Sequence, residues 1–218
     1  MSAGYVSMKY DRTHNTTWMV DIDGKYSSII RNYLISDGIP EEGADQILQN
    51  AAKTLGLCPN PENDKTCQRT GLVIGKVQSG KTSNFISLTA LAFDNGYDIV
   101  VVLGGTKKPL VKQNKERIIE YFGTDNDVIV LDTTDSRDQL NEKRIKQFTK
   151  KMGRKIVVVA LKNTNQISFI TENMFTNSSL SYKPILIIDD EGDEASLNTL
   201  VKKNKKSSTY NTTSEPFN

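Results

Sequence analysis

Residues 75–82 read Gly-Lys-Val-Gln-Ser-Gly-Lys-Thr, a spacing of two glycines, an ammonium and a hydroxyl that suits a bound triphosphate. Gly75 and Gly80 let successive backbone N–H groups, those of Val77, Gln78 and Ser79 among them, curl around a β-phosphate. Lys81 reaches the β/γ oxygens, and the Thr82 hydroxyl is a Mg²⁺ ligand. A helix opening at this point, with Ser83 in its first turn, presents its positive end to the anion. The pattern G-x-x-x-x-G-K-[ST] arises by accident in roughly one chain in a hundred of this length. The residues therefore imply a P-loop that binds a nucleotide with Mg²⁺.

The second chemistry-bearing stretch is Ile187-Ile188-Asp189-Asp190-Glu191-Gly192-Asp193. An apolar strand that ends in carboxylates offers one for Mg²⁺ and a following Glu to polarise an attacking water. Asp190 is the expected metal residue and Glu191 the expected base, with Asp189 the alternative for the metal. Lys81 and Glu191 form the expected catalytic pair.

Positioning these residues requires a sheet. From residue 71 onward, apolar β-branched runs recur at 72–74, 99–103, 128–131, 156–160 and 185–188, separated by segments at 81–95, 108–122, 137–152 and 165–178. The runs are continuous rather than alternating, as in strands covered on both faces. Five strands with four crossover helices predict a parallel α/β sheet, with ligands at the carboxyl ends of its strands. Before it, residues 18–57 predict two helices parted by Asp37-Gly38 and Pro40, and 57–70 reads as a Pro/Asn/Asp loop.

The stretches VQSGKTSNFISLTALAFDNGYDIVVVLGGT and ILIIDDEGDEASLNT resemble the Z-one domain family, and Asp190-Glu191-Gly192-Asp193 resembles the D-E-x-D box of superfamily II helicases. The family comprises helicase-like ATPases described as endonucleases of bacterial restriction and phage-defence settings. The resemblance, over roughly residues 70–200, implies a RecA-like P-loop NTPase fold and ATP hydrolysis driven by DNA or RNA. It also implies that Asp193 links hydrolysis to movement. Thr106, Lys107, Gln113 and Arg117 after the second strand, and Lys162 and Asn163 after the fourth, are candidates to contact a nucleic-acid backbone. For the first set the competing expectation is a turn and a solvated basic helix, and the second set is the weaker candidate. The basic run 143–155 reads as a solvated helix face.

The expected organisation is a flexible arm at 1–17, a helical region and loop at 18–70, a RecA-like P-loop ATPase domain at 71–200 and a flexible tail at 201–218. A second RecA-like domain with an arginine finger, and any nuclease residues, are not identifiable. The resemblance therefore implies an N-terminal piece or a partner that supplies them. The competing functions are a nucleotide-gated scaffold without turnover and a P-loop kinase; the D-E-G-D box and its distance from the P-loop argue against the kinase. A net charge of +2 favours no partner by itself. Cys58 and Cys67 lack the companions of a zinc site, and no apolar stretch approaches a membrane span or signal region. A reduced, cytoplasmic protein is the expectation. His14 is expected to be solvated, and Trp18 to be a packing anchor.

Overall fold

The computed structural model describes residues 7–8, 17–63, 69–71, 73–74, 81–123, 127–134, 142–172, 174 and 183–190. The chain divides into two units, Met1–Tyr97 and Asp98–Asn218.

In the first unit, helices α1 (Lys25–Ser36) and α2 (Glu41–Leu55) fall where the 3–4-residue spacing predicts them, with the turn at Asp37-Gly38 between them. Strand β1 (Ser7–Met8) precedes them, and β2 (Val73–Ile74) and α3 (Lys81–Asp94) follow. α3 buries Phe85, Ile86, Ala90, Leu91, Ala92 and Phe93. A helix so extensively apolar belongs in the interior of a bundle, and it packs against both α1 and α2. Ile30 and Leu34 of α1, with Leu48, Ala51 and Leu55 of α2, complete the core. The rings of Tyr26 and Phe93 meet edge to face at 5.4 Å. Trp18 is half-buried and donates its indole N–H to the Cys58 carbonyl at 2.9 Å, as befits a packing anchor.

The start of α1 is capped from a distance. Gly24 at its N-cap has no side chain to offer; the Asp94 carboxylate, at the end of α3, accepts from the N–H groups of Tyr26 (2.9 Å) and Ser27 (2.7 Å) instead. A Cβ on Gly24 would lie 2.2 Å from Asp94 Cγ, so the close approach requires glycine.

The second unit holds β3 (Ile99–Leu103), α4 (Lys108–Phe122), β4 (Val128–Asp132), α5 (Glu142–Lys146) with a π-helical turn at Gln147–Lys151, β5 (Lys155–Ala160), α6 (Thr164–Thr171) and β6 (Ile185–Asp189). The four strands are parallel, in the order β4-β5-β3-β6. β3 is buried along its whole length, and β5 from Ile156 to Ala160, in keeping with their unbroken β-branched runs. The core beneath includes Ile99, Val101, Leu131, Ile145, Ile156, Val158, Ile170 and Met174. Pro109 in the first turn of α4 and Gly123 after its last suit the ends of that helix.

Two expectations are corrected. The run at 72–74 was expected in the parallel sheet. Val73 and Ile74 do form a strand, but it pairs antiparallel with β1, Ser7 opposite Ile74 and Met8 opposite Val73. Ser7–Met8 falls within the expected arm, whose other residues up to 16 lie outside the described ones, as does the tail. The basic run 143–155 was expected to be a solvated helix face. Lys143 is exposed on α5, but Lys155 opens β5 and its ammonium lies 3.1 Å from Asp98 Oδ1.

Candidate functional site

The helix that must follow a P-loop is present: the backbone of α3 begins at Lys81, so Lys81, Thr82 and Ser83 form its first turn. Gly75, Val77, Gln78, Ser79 and Gly80 lie outside the described residues, as do the side chains of Lys81 and Thr82. Ser83 is half-buried. Glu191 and Asp193 also lie outside the described residues, which reach Asp190.

The carboxyl edge of the parallel sheet is described in side-chain detail, and there the segments after β3, β5 and β6 are tied together. Gly104 N–H donates to the Ala160 carbonyl (2.9 Å), Lys162 N–H to the Gly105 carbonyl (2.8 Å) and Asp190 N–H to the Leu103 carbonyl (3.3 Å). Lys162 is 1% exposed, and its ammonium stands 2.8 Å from Asp189 Oδ1. Asp190, half-buried, accepts at Oδ2 from the side-chain amide of Asn114 at 3.3 Å. The two neighbouring carboxylates therefore have different partners, one an ammonium and one a neutral amide.

Backbone shape makes this possible. Gly105 has φ +90°, a conformation that favours glycine. A Cβ on Gly104 would stand 3.1 Å from Asn114 Nδ2 and 3.4 Å from Val111 Cα, so glycine admits α4 close to the strand end.

Asn114 and the pairing of Lys162 were not foreseen. The signal for Asn114 was available: it falls on the buried stripe Val111, Asn114, Ile118, Phe122 of α4, where an amide interrupts apolar residues. A polar side chain in such a place needs a partner. For Lys162, only its position just beyond a buried strand pointed inward.

The nucleic-acid candidates are spread over different surroundings. Thr106 is half-buried, Lys107 and Gln113 are exposed, and Arg117 is half-buried. Asn163 caps α6, its side-chain oxygen accepting from Gln166 N–H at 2.9 Å. Lys162 is held by Asp189 rather than turned to solvent.

Among the described residues no group of three or more His, Cys, Asp or Glu could hold a metal ion. A Mg²⁺ bound chiefly through phosphate oxygens needs only one or two protein oxygens, so the carboxylate of Asp190 at the strand end fits that smaller demand. Among the described residues, no helix is long and apolar enough to cross a membrane.

Together these elements define a mixed α/β protein whose four-stranded parallel sheet is flanked by helices, the coarse architecture of a RecA-like fold. No protein-family model, curated protein or solved structure matches the chain.

Proposed function

We propose that this chain carries the first RecA-like domain of a superfamily II helicase-like ATPase, dependent on DNA or RNA and resembling the Z-one domain family of restriction and phage-defence proteins. The observation that carries the reading is the sequence GKVQSGKT placed so that its Lys81-Thr82 opens the fourteen-residue helix α3. A parallel strand running into Asp189, Asp190 and Glu191 supports it.

In this reading Gly75, Gly80 and the backbone between them cradle the phosphates, and Lys81 neutralises the β/γ oxygens. Thr82 and Asp190 hold Mg²⁺, which when bound offsets charge on the transferring phosphoryl group. Glu191 accepts the proton of the attacking water. Thr106, Lys107 and Gln113 are the accessible candidates for the nucleic-acid backbone, and a second RecA-like domain or a partner supplies the arginine finger.

Removing the Lys81 ammonium leaves phosphate charge uncompensated, so Lys81→Ala weakens Mg-ATP binding about tenfold or more. Titration calorimetry on the two chains measures it, and equal affinities overturn the P-loop reading.

A further inference from the structure

The pair Asp189-Asp190 presents two carboxylates in succession, and the side chains around them separate their duties. We infer that Lys162 is a positioning residue that takes Asp189 into an ion pair and thereby leaves Asp190, oriented by Asn114, as the carboxylate for a nucleotide-bound divalent cation. The identity of that cation rests on the ATPase reading above.

The first support is reach. β3 lies between β5 and β6, so the carboxyl ends of the outer two stand two strand spacings apart, roughly 9–10 Å. Only a long side chain crosses such a distance, and lysine is among the longest. The end of β3 and the residues just after it serve as the template: the Gly105 carbonyl fixes Lys162 N–H and the Leu103 carbonyl fixes Asp190 N–H. Backbone bonds thus set where the ammonium begins and where the acidic pair ends.

The second support is burial. The Lys162 side chain is 0% exposed, whereas that of Asp189 is 29% exposed. A buried ammonium without an anion is costly, so this lysine holds its carboxylate firmly. Asp189 is then engaged within the protein, and recruiting it to a cation would cost this ion pair.

The third support is charge. Asn114 is 4% exposed and donates to Asp190 Oδ2. An amide orients a carboxylate without cancelling its charge, whereas an ammonium cancels it. The Asn114 amide therefore leaves Asp190 the negative charge that a divalent cation requires. Without Lys162, two adjacent carboxylates would compete for one ion.

The test uses the 218-residue chain with Mn²⁺ as probe and saturating ATPγS. Free Mn²⁺ is read by electron paramagnetic resonance, and folding by urea midpoints. Asp190→Asn weakens Mn²⁺ binding about tenfold or more. Lys162→Met alone leaves Asp189 charged beside the site and tightens Mn²⁺ binding about threefold or more. The paired change Lys162→Met with Asp189→Leu returns affinity to within about threefold of wild type and unfolds at higher urea than either single variant. A purely structural role for Lys162 would move the urea midpoints and leave Mn²⁺ affinity where it was. That result overturns the inference, as does a paired variant that binds Mn²⁺ as weakly as Asp190→Asn. A wild-type chain that takes up no Mn²⁺ with ATPγS overturns the ATPase reading itself, an outcome distinct from nucleotide uptake with the wrong variant impaired.

Discussion

Gly104 shows how much of the sheet's carboxyl edge depends on one absent side chain. A methyl group there would press on Asn114 Nδ2 at 3.1 Å and on Val111 Cα at 3.4 Å. The backbone of α4 cannot retreat easily, but the amide end of Asn114 can. Gly104→Ala is therefore expected to cost about 1–3 kcal/mol of stability by overpacking. Combined with Asn114→Ala, which opens the space, the two changes cost less than their sum by about 0.5 kcal/mol or more. Urea denaturation of the four chains measures the difference, and strict additivity refutes the contact as the cause. Legibility at this scale was uneven. Gly75, Gly80, Lys81 and Thr82 stand in a motif whose spacing carries its own mechanical reason, so the sequence attaches an expectation to them, while the two glycines and the side chains of Lys81 and Thr82 lie outside the described residues. The acidic pair could be named too, with Asp190 preferred to Asp189 for the metal, but the different partners of the two carboxylates, Lys162 and Asn114, could not. Neither is adjacent to the pair in sequence, and no local pattern announces an ion pair made across an intervening strand.

Elements were easier to read than their pairings. Unbroken β-branched runs foretold β3, β4, β5 and β6 because strands covered on both faces exclude polar residues from either side. The run at Val73–Ile74 satisfied the same rule, yet its partner is a two-residue strand at Ser7–Met8 with no comparable signature. Charge pairs between strands were equally hidden. Asp98 before β3 receives Lys155 Nζ at 3.1 Å from the start of β5 and also bonds the ammonium of Lys183, which precedes β6. This clamp gathers the amino ends of the same three strands whose carboxyl ends the Lys162 and Asp190 contacts join. Burial pushes the Asp98 carboxyl up, but the hydrogen bond from Lys183 and the charge and hydrogen bond of Lys155 together outweigh it. The net result lies below the ordinary carboxylate range. A depressed carboxyl contributes stability that is present above its unfolded value, about 3.9, and is lost as pH falls through the folded value. Asp98→Asn is accordingly expected to lower stability at neutral pH by roughly 1–3 kcal/mol. The gap between wild type and variant then narrows as pH drops below about 4. Urea midpoints across that range decide the matter; a gap as wide at about pH 2 as at neutral pH would rule out the ion pairs as its source.

For the whole molecule, the P-loop sequence falls in the unit Met1–Tyr97 and the acidic strand end in the unit Asp98–Asn218. An ATPase needs both stretches, whereas a scaffold that merely holds nucleotide needs only the first. Hydrolysis is thus the property that discriminates between the two. Phosphoryl transfer loses roughly 10³–10⁵ in rate where no arginine finger is supplied, so absolute turnover by this chain is a poor criterion. Ratios between variants under one condition are a better one. Glu191→Gln keeps the shape of the side chain and removes its proton acceptor, so ATP still binds while the single-turnover rate falls about 10²-fold or more. Asp190→Asn acts differently, weakening the Mg²⁺ dependence as well as the rate, because it removes charge rather than a base. Added DNA or RNA should raise phosphate release by the wild-type chain and leave Glu191→Gln near its low level. A scaffold predicts no release for any of these chains, and a kinase predicts phosphate carried to a small acceptor instead of water. The base assignment is lost if Glu191→Gln retains more than about half the wild-type single-turnover rate at saturating ATP and Mg²⁺, since a general base contributes far more than twofold.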